Sequence, residues 1–159
     1  STNPYVCHKL AMEGLARSHP RHVILRLPQV AGRTPNRLTL SNYLYARIVR
    51  SERFSVWSRS TRNIIDIDDV AKLAFALVVG QSAVNETINI AHLRSVSIFE
   101  LIQEFERVTS KRALFDEVPL GSAYNIDCSR ICQALDLVGV DLTGDYLGRV
   151  LRKYYGNNC

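Results

Sequence analysis

The sequence predicts an α/β fold, and two observations support this class. Short apolar segments rich in β-branched residues alternate with segments of helical period from one end of the 159-residue chain to the other. The composition, 47% hydrophobic and 22% charged residues, is typical of a globular protein, and a chain of this length can bury about two-thirds of its unfolded surface. Because no repeat, low-complexity tract or linker interrupts the alternation, we expect one domain over residues 1–159.

The first helix is predicted over residues 3–13. Asn3 can cap free N–H groups, and Pro4 suits the first helical position. Tyr5 and Lys9 are four residues apart, so both side chains project from one face of this helix, one turn from each other. A positive charge beside a phenol lowers its pKa below the reference value of about 10, which makes Tyr5 a candidate proton donor or acceptor. The spacing alone is also compatible with an ordinary solvated helix face.

A buried strand and a loop follow the first helix. Residues 22–28 are short, apolar and β-branched, which predicts a strand. Residues 29–36 contain glycine and proline, which predicts a loop. Open α/β sheets bind ligands at loops that leave the carboxyl ends of strands, so this loop is a candidate binding segment.

The middle of the chain is predicted to contain two further helices and two further strands. The predicted segments are a helix over 39–51, strands over 54–57 and 62–67, and a helix from 68 to 80. Asp68 and Asp69 occupy the first turn of that last helix, where the helix dipole favours negative charge. We therefore interpret them as residues of a helix start rather than as metal ligands, and no metal site is predicted.

The C-terminal third continues the alternation. We predict strands over 86–91 and 113–119, a helix over 98–108, and two short final helices capped by Asp127 and Thr143. Ser97 and Glu100 form a capping-box pattern at the start of the 98–108 helix. Pro119 ends the 113–119 strand, which is expected at a sheet edge.

Charge and cysteine usage restrict the class of protein. Lysine and arginine exceed aspartate and glutamate by 20 to 15, but the basic residues are scattered, which argues against nucleic acid and is compatible with small phosphate-bearing ligands. The four cysteines (Cys7, Cys128, Cys132 and Cys159) form neither a CxxC pair nor a zinc pattern, so we expect reduced thiols in a cytoplasm. No apolar run reaches the about 18 residues of a membrane span, and no signal peptide is expected at the start.

Three motifs in order carry a family resemblance. They are the Y-x-x-x-K of residues 5–9, the segment LRLPQVAG at 25–32 and the segment RNIIDIDDVA at 62–71. Together they resemble the extended short-chain dehydrogenase/reductase family, the sugar-nucleotide epimerases, dehydratases and reductases. That family has a YxxxK helix, then an LR-x-x-N-x-x-G loop and an R-D-F-x-x-V-D-D-V-A segment, and a late LG pair that 137–139 match loosely. The resemblance implies the C-terminal part of a Rossmann-like doubly wound sheet plus a small substrate-binding α/β subdomain.

The sequence also departs from the family pattern. It contains no GxxGxxG turn for a dinucleotide pyrophosphate. Ser1 and Thr2 are too close to Tyr5 to match the family's catalytic Ser or Thr, and Gln29 replaces the usual Asn. The resemblance therefore implies one partial domain over 1–159 without the N-terminal dinucleotide-binding half. An uncovered strand at 22–28 then implies a homodimer or the missing half as partner.

The resemblance implies the chemistry of hydride transfer between a nicotinamide and a sugar carbon. On this reading Tyr5 is the general acid/base, and Lys9 tunes it and binds the ribose of NAD or NADP. Pro28 and Val30 are implied cofactor contacts.

Further residues are implied contacts of the nucleotide-sugar substrate. Gln29 is expected to face the sugar. Arg62 is expected to contact the diphosphate, because a guanidinium fork suits phosphate oxygens, and Arg33 is a weaker candidate for the same diphosphate. Alternatively, Arg62 pairs with Asp66 or Asp68, and Gln29 is an ordinary loop amide.

The implied function is that of a partial NAD(P)-dependent epimerase, dehydratase or reductase of polysaccharide biosynthesis, inactive as this chain alone. The alternative is a non-catalytic remnant that binds a nucleotide-sugar or a partner chain.

Overall fold

The computed structural model describes residues 3–80 and 83–156. The helices are α1 (Pro4–Arg17), α2 (Leu40–Val49), α3 (Ile67–Val79), α4 (Ile98–Thr109), α5 (Ser129–Val138) and α6 (Tyr146–Tyr155). The strands are β1 (Val23–Arg26), β2 (Gln29–Ala31), β3 (Phe54–Trp57), β4 (Thr61–Arg62), β5 (Ile64–Asp66), β6 (Glu86–Asn89), β7 (Val96–Ser97) and β8 (Phe115–Val118). The predicted α/β class is confirmed. Ser1, Thr2 and Cys159, which were discussed from the sequence, lie outside the described residues.

Parallel pairing dominates the sheets of residues 3–80 and 83–156. β1 pairs with β6, β2 with β5 and β3 with β8, all in parallel, whereas β4 and β7 pair antiparallel. Parallel neighbours need a crossover connection. Helices supply it, since α2 lies between β2 and β5 in the chain. Parallel sheets bury both faces, and both Ile64 and Ile65 of β5 are accordingly buried.

The predicted loop over residues 29–36 is wrong at its start, because residues 29–31 form β2. Val30 lies opposite Ile65 in the parallel register, and the Gln29 amide donates to the Asn63 carbonyl at 3.1 Å. The glycine and proline that favoured a loop come after these residues. Pairing with a segment about 35 residues further along the chain decides the conformation.

The predicted strand over residues 62–67 is divided in two at Asn63. The Asn63 side chain is buried and exchanges hydrogen bonds with His92, accepting from its amide at 3.0 Å and donating to its carbonyl at 2.8 Å. β4 before it pairs with β7, and β5 after it pairs with β2. The division lets one segment serve two different sheets.

Side-chain caps begin two helices where the sequence predicts them. The Asn3 side chain accepts from the Tyr5 amide at 2.9 Å, and the Ser97 hydroxyl accepts from the Glu100 amide at 3.0 Å. The capping box is only half formed, because the Glu100 carboxylate pairs with Arg94 at 2.6 Å. An ion pair with the preceding turn replaces the expected return bond.

The starts of the last two helices are predicted less well. The Asp127 carboxylate accepts from the Ser129 amide at 2.9 Å, and so supports the start of α5 from one residue before the cap position. The prediction that Thr143 caps α6 is wrong. Thr143 bonds to Asp141 within its own turn, and Asp145 takes the cap position.

One apolar core connects the helices with the sheets. Its largest side chains are almost completely buried, among them Ile48 of α2, Leu73 of α3, Ile88 of β6, Phe105 of α4 and Leu151 of α6. α4 packs against both α2 and α6. The C-terminal helix is therefore an integral part of the fold.

A buried carboxylate joins α6 to the end of β5. Asp66 is 5% exposed and accepts from the Lys153 ammonium at 2.7 Å, the Tyr154 hydroxyl at 2.7 Å and the Asp68 amide at 2.9 Å. Burial by itself raises the pKa of Asp66, but these three donors outweigh it and hold the pKa below its ordinary value. A buried charge is tolerated here because every side of it meets a donor.

A second contact from α6 reaches the same place. The Tyr146 hydroxyl accepts from the Asp66 amide at 2.9 Å and donates to the Asp69 carboxylate at 2.7 Å. Burial raises the pKa of Tyr146, so the phenol stays protonated and can act as this donor. α6 is thus fastened at both its first and its last turn to the β5–α3 junction.

We predict that Asp66→Asn lowers the free energy of unfolding by about 2 kcal/mol at neutral pH, the loss of a hydrogen bond to a charged group. Because the folded pKa lies below the unfolded one, the stabilisation is present above about pH 3.9 and is lost as the pH falls through the folded pKa. Urea titrations from neutral pH to about pH 2 should therefore show the two proteins converging in acid. Asp116→Asn, at an exposed ion pair with Arg53, is the control and should change stability by less than about 0.5 kcal/mol.

Candidate functional site

Tyr5 and Lys9 form an accessible pair on α1. The Lys9 ammonium lies over the face of the Tyr5 ring, 5.5 Å from its centroid. The Tyr5 side chain is 69% exposed, and no residue of α1 that the structure describes is buried. A phenol in this setting can reach a ligand without any rearrangement of the core, and a fixed positive charge lies beside it.

The segment after β1 leads directly into the second part of the site. Pro28 is half-buried between β1 and β2, and Val30 is held by its pairing with Ile65. α1, which carries Tyr5, packs against β1, and the Pro28 segment continues from the end of that same strand. The structure thus places the predicted cofactor contacts on neighbouring elements.

Gln29 carries a buried acceptor without a partner. Its side-chain oxygen Oε1 is shielded from solvent and has no hydrogen-bond partner among residues 3–80 and 83–156. Its backbone N–H is engaged, because it donates to the Asn63 carbonyl. Buried polar atoms are satisfied in the great majority of cases, so this oxygen is available for a donor from outside the chain.

Arg62 carries a buried donor in the same situation. Its Nη1 donates to the Thr61 carbonyl at 2.9 Å, but its Nε is buried and unpartnered within the described part of the chain. The alternative ion pairs with Asp66 or Asp68 are not formed, because both carboxylates bind Lys153 instead. The Arg62 guanidinium is therefore not neutralised by a carboxylate of the described residues.

Gln29 and Arg62 belong to adjacent stretches of main chain. Asn63 follows Arg62 directly and accepts the hydrogen bond from the Gln29 amide. The structure thus brings one unpartnered acceptor and one unpartnered donor to the same seam between β2 and the β4–β5 segment.

Arg33 lies just beyond that seam, in the exposed loop that directly follows β2. A groove of about 430 Å³ separates this loop from the end of α6. It is lined by Gly32, Arg33, Thr34, Pro35, Asn42, Tyr154 and Tyr155. A Cβ on Gly32 would lie 2.9 Å from Cγ2 of Ile67, so only glycine lets the chain pass α3 at this point.

No motif in the sequence points to the residues at the far side of this groove. Asn42, Tyr154 and Tyr155 have no motif around them, and their partners lie far along the chain, Tyr155 being 113 residues from Asn42. The only available signal was the apolar period of the last helix. A further buried hydroxyl, that of Ser60, is also unpartnered in the described residues and packs against Gly121, for which no sequence signal exists.

The residues that the structure describes show no grouping of metal ligands and no membrane span. They contain no group of three or more His, Cys, Asp or Glu side chains placed to hold a metal ion. No helix within them combines the length and the hydropathy needed to cross a bilayer.

The chain resembles one protein family. The model of the NAD dependent epimerase/dehydratase family matches residues 1–91. No curated protein matches the chain significantly.

Solved structures with the same fold include three enzymes with bound dinucleotide. RMD from Pseudomonas aeruginosa, complexed with NADPH, superposes with a TM-score of 0.75 at 18% identity, over 96% of this chain and 55% of that one. UDP-glucuronic acid 4-epimerase from Bacillus cereus, in complex with UDP-glucuronic acid and NAD, superposes with a TM-score of 0.75 at 23% sequence identity, over 96% of this chain and 51% of that one. dTDP-glucose 4,6-dehydratase from Bacillus anthracis, in complex with NAD, superposes with a TM-score of 0.71 at 13% sequence identity, over 96% of this chain and 53% of that one. The chain therefore spans about half the length of these structures.

We predict that Gln29→Met leaves the free energy of unfolding unchanged or raises it by up to about 1 kcal/mol. Methionine is of similar size and removes a buried acceptor whose unmet desolvation costs about 1–3 kcal/mol. Chemical denaturation of the ligand-free chain measures the change, with Gln133→Met on the exposed side of α5 as the matched control. A decrease of more than about 1 kcal/mol in the free energy of unfolding would show that the side-chain amide of Gln29 stabilises the fold rather than serving a ligand.

Proposed function

The chain belongs to the NAD dependent epimerase/dehydratase family, and from this premise we propose that it supplies the acid/base and sugar-binding half of an NAD(P)-dependent enzyme. The enzyme would epimerise, dehydrate or reduce a nucleotide-sugar by hydride transfer. The observation that carries the proposal is the exposed Tyr5–Lys9 pair at the start of α1. The helix that carries this pair packs against β1, the strand that precedes Gln29 in the chain, and Gln29 and Arg62 carry the unpartnered buried atoms.

Tyr5 moves the proton in this reaction. When a sugar hydroxyl is oxidised, its proton would pass to the deprotonated oxygen of Tyr5, and in the reverse direction Tyr5 would return it to the carbonyl oxygen. The Lys9 ammonium lies over the Tyr5 ring, 5.5 Å from its centroid, and would bind the cofactor ribose beside it. A bound nicotinamide supplies the acceptor or donor of the hydride.

The residues of this chain fit one end of such a cofactor. Tyr5 and Lys9 are accessible for the ribose and nicotinamide, and Pro28 and Val30 form the adjoining wall on β1 and β2. The sequence has no glycine-rich turn before a helix, so the pyrophosphate would be bound outside this chain.

The nucleotide-sugar would occupy the seam beside β2. The Gln29 oxygen can accept from a sugar hydroxyl, and the Arg62 guanidinium can donate to diphosphate oxygens. Arg33, exposed on the next loop, adds a second positive charge for the same diphosphate. The Bacillus cereus epimerase with the same fold binds UDP-glucuronic acid, which is a ligand of this chemical class.

A cytoplasmic location fits the thiol chemistry of the chain. Among the described residues, Cys128 and Cys132 are free cysteines. Reducing compartments keep thiols in this state, and sugar-nucleotide enzymes of polysaccharide biosynthesis would find their substrates there.

Two exposed apolar faces would bind the dinucleotide-binding half of the fold. Leu10 and Leu15 on α1 are 51% and 66% exposed, and Phe75 and Val79 on α3 are 67% and 59% exposed. Within the described residues β1 pairs on one side only, with β6, so its other edge is open. Apolar patches of this kind mark interaction surfaces, and the chain spans about half of the structures that share its fold.

We predict that Tyr5→Phe lowers kcat by about 10²–10⁴-fold in a polypeptide that contains both halves, because the proton has no other carrier at that position. The affinity for NAD(H) should change little. Tyr43→Phe, at a tyrosine that packs against Phe54, is the control and should keep the rate. Turnover of Tyr5→Phe at the wild-type rate contradicts the assigned role. Binding of a nucleotide-sugar without any binding or use of NAD(H) would favour the non-catalytic alternative.

We predict that this chain, expressed alone, self-associates through the two apolar faces. Leu15→Gln and Phe75→Gln should shift it toward the monomer in size-exclusion chromatography with light scattering, because each removes an exposed apolar side chain from a face. Leu137→Gln changes an 82% exposed leucine of α5 outside both faces and should have no effect. A monomeric chain that unfolds cooperatively would argue against a missing partner surface.

A further inference from the structure

The loop that carries Arg33 is held in place by one side chain. Asn42, in the first turn of α2, donates from Nδ2 to the Thr34 carbonyl at 3.2 Å and to the Asn36 carbonyl at 2.8 Å. Asn36 in turn accepts from the Leu38 amide at 2.9 Å. These bonds replace the strand partner that the loop lacks in the described part of the chain.

The C-terminal helix fixes that side chain. The Tyr155 hydroxyl donates to Oδ1 of Asn42 at 2.7 Å, so both ends of the Asn42 amide are engaged. The Tyr155 ring is 7% exposed and packs at 5.0 Å from Tyr45 and 5.2 Å from Phe105, measured between centroids. A side chain packed on two rings has little freedom, and it sets the orientation of the amide that it binds.

The other end of the loop is tied to the same helix. Gly32 follows Ala31, which lies opposite Asp66 in the β2–β5 register. Asp66 binds Lys153 and Tyr154 of α6. The last turn of α6 therefore holds the loop at its start through the sheet and at its far side through Asn42.

We propose that Asn42 and Tyr155 are positioning residues for Arg33 in the nucleotide-sugar site. The inference rests on the proposed function, in which Arg33 meets the diphosphate. An arginine on a free loop must lose backbone and side-chain entropy when it binds a phosphate. The Tyr155–Asn42 bonds order the loop beforehand, so the guanidinium stands ready beside the groove.

The proposal is tested by measuring the binding of UDP to the full chain. Calorimetry gives the affinity of the wild type, of Asn42→Ala, of Arg33→Gln and of the double variant. We expect Asn42→Ala and Arg33→Gln each to weaken binding about tenfold, as for the loss of one hydrogen bond to a charged group. When Arg33→Gln is already present, Asn42→Ala should weaken the binding of UDP by less than about a further twofold, because it acts only through Arg33. Tyr155→Phe, which keeps the packing, should give a smaller loss in the same direction.

Tyr146→Phe is the matched control. It removes a hydroxyl of the same helix that bonds to Asp69 and to the Asp66 amide but leaves the hydrogen bonds of Asn42 intact, so it should lower the melting temperature without changing the affinity for UDP. Additive losses in the double variant, or an affinity unchanged in Asn42→Ala, would overturn the inference while the proposed function stands. A wild-type chain that binds no UDP would contradict the proposed substrate site and the inference together.

Discussion

The buried carboxylate of Asp66 is the interaction on which the arrangement of this domain depends. It ends β5, begins α3 through the Asp68 amide, and binds Lys153 and Tyr154 of α6. A charge with 5% exposure is stable only when its partners are in place. The strand end, the helix start and the C-terminal helix are therefore joined at one carboxylate, and the 32–36 loop follows directly from the strand that pairs with it.

The candidate site combines a local part with a long-range part. Tyr5 and Lys9 meet because a helix places residues four apart on one face, and one cap at Asn3 suffices to begin that helix. Gln29 and Arg62 lie on adjacent stretches of main chain because β2 pairs with β5 and the Gln29 amide bonds to Asn63. The first part is accessible to solvent, whereas the second carries buried polar atoms without partners, and this division fits a proton carrier and a ligand-binding wall respectively.

Features decided by neighbouring residues could be predicted from the sequence. The caps at Asn3 and Ser97 and the Tyr5–Lys9 face follow from spacing alone. Features decided by distant partners could not. Residues 29–31 form a strand only because residues 64–66 pair with them. The carboxylates expected to pair with Arg62 bind Lys153 instead, which is 87 residues from Asp66 and 85 residues from Asp68.

The tie between Asp66 and α6 has a consequence for how the chain is made on a ribosome. At about 5–20 residues per second, the 87 residues that separate Asp66 from Lys153 take on the order of ten seconds to synthesise. During that interval the emerging polypeptide carries a carboxylate whose native side-chain donors, Lys153 and Tyr154, do not yet exist. The groove beside Arg33 can be completed only after α6 has been synthesised, because Tyr154 and Tyr155 line its far side.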